Sequence, residues 1–381
     1  MKIMIATEYR INCVHGKYYV YGKLYSILKR YYNAFGPILL CSRVVNAPLD
    51  NKCYDITEMV FKVEPLKLAD TFFQLNKGVL EHDVKECDLI IGRFDSIVSC
   101  RVSSIARKMN KPFLAEIMAD AWDGYWNHGI VGKLLAPYMF YATKKAILNA
   151  DYAVYVTKNY LQRRYPCKNK SINASNVFIS QPDERILDLR LKKISDMSFS
   201  DITLVTTAAI NVEAKGQQYV IEALPMLRKS GVNAKYVLIG SGDKARLMNL
   251  AEKYGVKDNV VFAGELSLDD VFNTIDRCDF YIQPSLQEGL PRSVIEAMSR
   301  ACPSVGARTA GIPELIPEEC IFERKSAKGI YDTIMALLSK SKLNELAKQN
   351  FEESKKYTNE VLEQRRNAYF DYVKESLNKD N

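Results

Sequence analysis

The sequence predicts an α/β chain built as two doubly wound, mostly parallel sheets in tandem, facing across a cleft. Short apolar runs alternate with helical stretches along the chain, the pattern left by parallel sheets covered on both faces. That alternation breaks over residues 181–200 (QPDERILDLRLKKISDMSFS), a charged run without strand character, and then restarts. A length of 381 residues suits two domains of about 180 residues better than one.

Taken in order, residues 2–7 (KIMIAT) read as a buried first strand, followed by a polar loop over 8–16. Residues 17–35 (KYYVYGKLYSILKRYYNAF) place apolar and aromatic side chains at helical spacings. Apolar runs at 37–41, 89–91, 113–118 and 152–156 continue a first domain expected to span 1–183. A linker is expected over 184–200. The second domain, 201–358, has strands expected at 202–207, 236–240, 260–262, 280–283 and 302–305, with helices at 217–227 and 245–254. Residues 359–377 (NEVLEQRRNAYFDYVKESL) predict a last amphipathic helix, within a segment 359–381 expected to pack back toward the first domain.

Composition narrows the class. With 48% hydrophobic and 26% charged residues the chain can bury two cores, and extensive disorder is not expected. No window approaches the ~18 apolar residues of a membrane span, and MKIMIATEYR lacks the form of a signal peptide. A cytoplasmic protein is expected. Nine scattered cysteines without a C-x-x-C pair read as reduced thiols, and His15, His82 and His128 are not spaced to chelate, so no zinc is expected. The charge is uneven. Through Asp183 there are 25 Lys and Arg against 16 Asp and Glu, and beyond it 28 against 29. A basic first half suits a phosphorylated partner, an anionic membrane surface or a nucleic acid.

The chemistry concentrates in residues 281–316 (YIQPSLQEGLPRSVIEAMSRACPSVGARTAGIPELI). A strand-like run breaks at Pro284-Ser285, and a helix is expected to start at Pro291, since proline suits the first helical position. The free N–H groups at that mouth attract anions. Glu288 lies in the turn before it and Glu296 in the helix, among Val294, Ile295, Ala297 and Met298, where a carboxylate needs a polar partner. Lys215-Gly216 follows the first strand of the second half, where an ammonium suits a diphosphate leaving group. Gly240 and Gly242 (VLIGSGD) let backbone approach a ligand closely, though the same pattern equally makes an ordinary strand-to-helix turn. The first strand is followed by TEYRINCVHG, whose single glycine argues against a dinucleotide-binding oxidoreductase.

EGLPRSVIE resembles the E-x7-E pattern of the retaining family-four glycosyltransferases, which have the two-lobed GT-B fold of paired Rossmann-like domains. KGQQYVIEAL at 215–224, VLIGSGD at 237–243, NVVFAGEL at 259–266 and GIPELI at 311–316 extend the resemblance over nearly the whole second half. The first half is similar mainly in its strand–helix order. The resemblance implies that Glu288 contacts the donor sugar and Glu296 the ribose. Lys215, with Gly289, Leu290, Pro291 and Arg292, would hold the diphosphate, and the loop at Phe262 and Gly264 would hold the base.

Three departures stand out. The positions of a frequent arginine are Ala209 and Ile210, only Gly16 is present in the first loop, and the usual histidine of the first lobe is absent. The matching region, AEIMADAWDGYWNHG, offers Glu116, Asp120, Asp123 and His128. Asp123 is preferred for a sugar hydroxyl, since Trp122 and Trp126 flank it and sugars stack on indole faces; a helix-capping role competes.

The expectation is a retaining hexosyltransferase in cell-surface polysaccharide synthesis. It would move a hexose or N-acetylhexosamine from a nucleoside diphosphate sugar, UDP-sugar favoured, to a saccharide or lipid-linked saccharide. With no D-x-D motif, no metal and no cofactor beyond the donor substrate are expected. The partners are the nucleotide sugar, the acceptor and an anionic membrane at the inner cell face touched by residues 17–35 and 133–145; nucleic acid is not among them. The alternative is a catalytically weak nucleotide-sugar-binding partner of a membrane-associated assembly complex.

Overall fold

The computed structural model describes residues 1–47, 49 and 52–379, so the last two residues of the expected closing segment lie outside it. The chain divides into two compact units, residues 1–174 with 364–381, and residues 175–363.

The first unit is built on β1 (Ile3–Val14), β2 (Lys17–Tyr21), β3 (Ile38–Val45), β4 (Cys53–Asp55), β5 (Val60–Pro65), β6 (Leu89–Phe94), β7 (Phe113–Ile117), β8 (Tyr152–Tyr155) and β9 (Ser171–Asn173). The parallel strands run in the order β5-β3-β1-β6-β7-β8-β9. Ile3, Met4, Ile5 and Ala6 are all fully buried, as a central strand covered on both faces requires.

Beyond Ala6 the structure departs from the expected loop. β1 continues to Val14 and turns back as β2, with Val14 opposite Lys17. The two residues between, His15 (φ 49°) and Gly16 (φ 76°), carry the paired positive φ of a two-residue hairpin. Gly16 is thus a hairpin tip and not part of a strand-to-helix loop. The expected helix over 17–35 accordingly starts only at Gly22, since KYYVY is the returning strand.

The expected linker is also ordered differently. Residues Glu184–Asp196 form a helix of the second unit, capped by Asp183, whose carboxylate accepts from Arg185 N. Its charges lie on an outer face, while Ile194 is buried and Arg190 donates to the Cys278 and Ile275 carbonyls at 2.6 and 2.9 Å. Amphipathic spacing within a charged stretch produced a docked helix.

The second unit has β10 (Asp201–Thr207), β11 (Asn233–Ile239), β12 (Val260–Gly264), β13 (Phe280–Gln283), β14 (Ser304–Ala307) and β15 (Ile321–Phe322). All pairs are parallel, in the order β12-β11-β10-β13-β14-β15. The winding reverses between β10 and β13, which makes their carboxyl ends the switch point.

The last helix, Asn359–Lys379, returns from residue 364 to the first unit. Phe370 lies between Tyr31 and Phe35, ring centroids 5.5 and 5.1 Å away. The Tyr369 hydroxyl accepts from Ala153 N at 3.0 Å and donates to the Lys170 carbonyl. Among the described residues no helix is long and apolar enough to cross a membrane.

Candidate active site

Two loops leave the switch point of the second unit. One passes from Thr207 through the turn Glu213–Lys215 into the helix Gln217–Lys229; the other passes from Gln283 into the helix Arg292–Ser299. They close against each other at Gly216 (φ 74°), where a Cβ would stand 2.0 Å from the Pro284 carbonyl oxygen, so only glycine fits. Leu286 N also donates to Ala214 O at 2.7 Å. Neither helix has a side-chain cap, so both present N–H groups and the positive end of a helix dipole to the same edge. The second helix begins at Arg292, one residue later than expected, because Pro291 is extended (ψ 116°).

Lys215 and Glu288 meet here. The ammonium donates to Glu288 Oε1 at 2.7 Å, with side chains 30% and 12% exposed. The same carboxylate oxygen accepts from Gln283 Nε2 at 3.1 Å. Gln283 is buried and fully used: Nε2 also donates to Ser285 Oγ at 2.8 Å, while Oε1 accepts from Tyr281 Oη at 2.8 Å and Ser293 Oγ at 3.2 Å. Thr207 N in turn donates to Tyr281 Oη at 3.4 Å. A polar relay therefore runs from the end of β10 to Glu288. Burial pushes the Tyr281 phenol well above its ordinary pKa, which keeps it the donor in that relay. Reading for charged residues missed Gln283 and Tyr281; the signal was a glutamine closing an otherwise apolar strand, YIQ.

Glu296 is half-buried in the helix Arg292–Ser299, beyond Gly289, Leu290 and Pro291. Gly311 N donates to Gly289 O at 2.8 Å, which fixes the loop before the helix. Gly240 packs on the first loop: its missing Cβ would lie 2.0 Å from Ala208 O, and its N–H donates to Gly264 O at 2.8 Å. Gly242 lies against Asn211 in the same way. Phe262 and Gly264 lie in β12, on the far side of β11. Ile210 is buried and Ala209 O accepts from Gln217 Nε2 at 3.1 Å, so the two positions noted for a frequent arginine are given to packing and to a backbone bond. Thr207 Oγ1 and Gln217 Oε1 are buried polar atoms without a partner among the described residues, acceptor capacity that a bound ligand can use.

The candidates of the first unit are spread differently. Asp120 is fully enclosed: it caps the helix Ala121–Trp126 by accepting from Trp122 N at 2.9 Å, accepts from Tyr160 Oη at 2.9 Å and from Tyr165 Oη, and pairs with Arg164. Its neighbour Asp123 is buried one turn on, and Trp122 and Trp126 stack with centroids 5.3 Å apart. His128 is exposed after that helix. Glu116 is buried against Arg93 at 2.6 Å.

The winding of the first unit reverses between β1 and β6, and the residues at that switch point were not singled out by sequence. Glu8 accepts from Ile97 N at 2.6 Å, and burial raises its pKa. Asp95 follows β6, and burial, reinforced by Glu8 and Asp120, pushes its carboxyl up to about 7.

Comparison with known proteins finds similarity to glycosyltransferases in sequence and in fold. Residues 200–354 match glycosyl transferases group 1. Over nearly its whole length the chain is similar to protein CapJ of Staphylococcus aureus, 29% identical across 98% of this chain and 96% of that one. It is also similar to the amylovoran biosynthesis glycosyltransferase AmsK of Erwinia amylovora, 30% identical across 39% of this chain and 37% of that one. The fold is that of the Anabaena protein HepE solved with UDP, with a TM-score of 0.66 at 15% identity over 98% of this chain and 100% of that one.

Proposed function

We propose that the chain, whose second half matches glycosyl transferases group 1 and whose fold is GT-B, is a glycosyltransferase that catalyses retaining transfer from a UDP-sugar. A hexose or N-acetylhexosamine would pass to a saccharide or lipid-linked saccharide acceptor in cell-surface polysaccharide synthesis. The observation that carries this reading is the Lys215–Glu288 pair at an edge fed by two uncapped helix mouths. Such an edge holds a diphosphate and stabilises the charge that develops as it leaves. Each member of the pair neutralises the other. With donor bound, Lys215 turns to the diphosphate, Glu288 to a hydroxyl of the moving sugar and Glu296 to the ribose diol. Binding of UDP by HepE and the part of AmsK in amylovoran biosynthesis support the choice of nucleotide and pathway class.

Retention without a covalent nucleophile implies a front-face displacement. The acceptor oxygen forms its bond to the anomeric carbon on the face from which the phosphate oxygen departs, and the acceptor proton passes to that phosphate oxygen. Lys215 and the helix mouth supply the positive charge, so no metal is required. On the first unit, Asp123 beside the stacked indoles, with Glu8 and Asp95 at the carboxyl edge, suits an acceptor's hydroxyls.

The test is transfer by the full chain from UDP-, GDP- and ADP-sugars in the presence of EDTA, with the product anomer read by NMR. Turnover of the UDP-sugar with retained configuration is expected, strongly reduced by Lys215→Ala. Undiminished transfer by that variant, an inverted product or loss of turnover in EDTA would each overturn the corresponding part. Tight nucleotide binding without turnover of any donor would favour a binding partner instead.

A further inference from the structure

Beyond Ala6, β1 runs on and carries β2 and β4 as an antiparallel flap. One face of the flap is spent on the core. Ile11, Val20 and Ile56 are buried in the cluster that also holds Leu24, Ile27 and Leu28 of the helix Gly22–Phe35. Side chains alternate across a strand, and register partners share a face, so Arg10 and Asn12 lie on the opposite face. Tyr19, the partner of Asn12, lies there too, and Tyr21 follows two residues on, in register with Cys53. The parallel neighbour β3 adds Arg43, in register with Arg10.

Two arginines therefore stand side by side on adjacent strands, about 4.8 Å apart at the backbone. Like charges so placed repel. Neither guanidinium makes an ion pair or hydrogen bond among the described residues. Other charges of the flap are committed: Lys17 lies 4.0 Å from Asp55, whose carboxylate also accepts from Thr57 N at 2.8 Å. Glu8, whose pKa burial raises and Arg43 pulls back down, accepts from Ile97 N at 2.6 Å. Arg10 is exposed, Arg43 partly so, and Tyr21 is 53% exposed. Asn12 is 7% exposed, and among the described residues its amide nitrogen donates only to Cys53 Sγ at 3.9 Å, a weak acceptor. Two unmet cations, a buried amide with spare capacity and an open tyrosine face call for a ligand that is anionic, hydroxylated and cyclic. The flap also grows from the carboxyl end of β1, on the edge that carries Glu8 and Asp95, and a doubly wound sheet binds its ligands at that edge.

We propose that this flap is a specificity subsite for an acidic acceptor, with the carboxylate of a uronic acid residue held by Arg10 and Arg43, its pyranose ring against Tyr21 and a ring substituent on Asn12. The inference rests on the transferase reading and adds to it the charge class of the acceptor. The planar guanidinium fork matches a carboxylate, and a tyrosine ring offers an apolar face with a polar tip. With Glu8 beside them, the two guanidiniums leave room for one further negative charge. A uronate supplies one, and the diphosphate of a lipid carrier exceeds it.

The test begins with the full chain without donor. In calorimetric titration, trigalacturonate should bind at least about 10-fold tighter than its methyl ester, and Arg10→Gln with Arg43→Gln should weaken it by about 10–100-fold, to the level of the ester. Arg43→Lys should restore part of the loss, and Tyr21→Ala should weaken acid and ester alike. Melting temperatures are expected to stay at the parent value; where Arg43→Gln lowers its own, Arg10→Gln alone, at an exposed position, carries the comparison. In transfer from a UDP-sugar, the ratio of kcat/KM for a uronate-ended acceptor over its neutral counterpart should collapse in the double variant. Equal binding of acid and ester, or a preference indifferent to the substitutions, would overturn the proposal. So would farnesyl diphosphate binding weakened by the two substitutions as much as trigalacturonate binding, which would assign the cations to the carrier. Intact uronate binding without transfer to any acceptor would count against the transferase reading and leave the anion site standing.

Discussion

Replacing Gln283 by leucine removes the centre of the relay that holds Glu288 while nearly keeping the volume. Four hydrogen bonds go, those to Ser285 Oγ, Glu288 Oε1, Tyr281 Oη and Ser293 Oγ. The Tyr281 hydroxyl and Ser285 Oγ are left buried with unmet capacity, which costs about 1–3 kcal/mol each. The second unit should lose about 2–5 kcal/mol, and at about 2–4 °C per kcal/mol its melting temperature should fall by roughly 5–15 °C. Glu288 keeps Lys215 at 2.7 Å but loses the partner that sets its direction. We predict kcat lower by about 10–100-fold with donor KM within a few-fold, the pattern of lost transition-state geometry. Gln283→Glu supplies the check on positioning. Its carboxyl, forced to share a proton with Glu288, can donate as the amide did, so activity should recover as pH falls, unlike the leucine variant. Steady-state kinetics across pH and calorimetry measure both effects. A leucine variant that melts early yet keeps the parent kcat would refute the reasoning and leave Gln283 a purely structural residue.

Three further outcomes follow from the geometry. Lys215→Ala should lower kcat/KM by about 10²–10³-fold, as loss of one charge-stabilising donor does elsewhere, and weaken UDP in calorimetric titration; a Glu288→Gln variant turning over like the parent would remove Glu288 from the site. Asp95, with its folded pKa near 7 from burial against about 3.9 unfolded, should destabilise the first unit as pH rises from about 4 to 7. Below that window both states are protonated and the penalty is absent. Asp95→Asn should therefore flatten the pH dependence of urea unfolding, gaining about 1–2 kcal/mol at pH 8 after discounting for water that still reaches the side chain; an unchanged pH slope would count against it. Phe370→Ala should cost the first unit about 3–5 kcal/mol, read as an earlier transition of that unit, because the ring fills the space between Tyr31 and Phe35.

The legible parts of the chain are those in which one stretch decides its own structure. β10 and β13 announce themselves as apolar runs, and the loop and helix mouth after β13 are encoded within about ten consecutive residues, from Gln283 to Arg292. Gly216 is required because the Pro284 carbonyl occupies the space of a side chain, a constraint that leaves the KG pair visible. The hairpin at His15 and Gly16 was illegible for the opposite reason. KYYVY fits a helical as well as a strand period, and only its pairing with β1 and β4 decides between them. The helix Glu184–Asp196 hid behind its charge, since what orders it is Arg190 reaching carbonyls nearly a hundred residues away.

The candidate site follows the same division. Glu288, Glu296 and Lys215 are charged residues beside loops, and charge is what sequence reading ranks first. Gln283 is neutral, yet it bonds to Tyr281, Ser285, Glu288 and Ser293 together. Asp120 and Asp123 show the converse: two acids in one motif, one spent on a helix cap, two tyrosines and an arginine, the other beside stacked indoles. Their spacing could not separate them, because the tyrosines and the arginine come from residues 160–165, some forty positions on. A carboxylate's role is set by how many donors the fold has already given it, and Asp120 has been given four. Substitution at Asp120 should therefore be felt first as loss of the fold around Trp122, read as an earlier thermal transition of the first unit, before any effect on acceptor recognition.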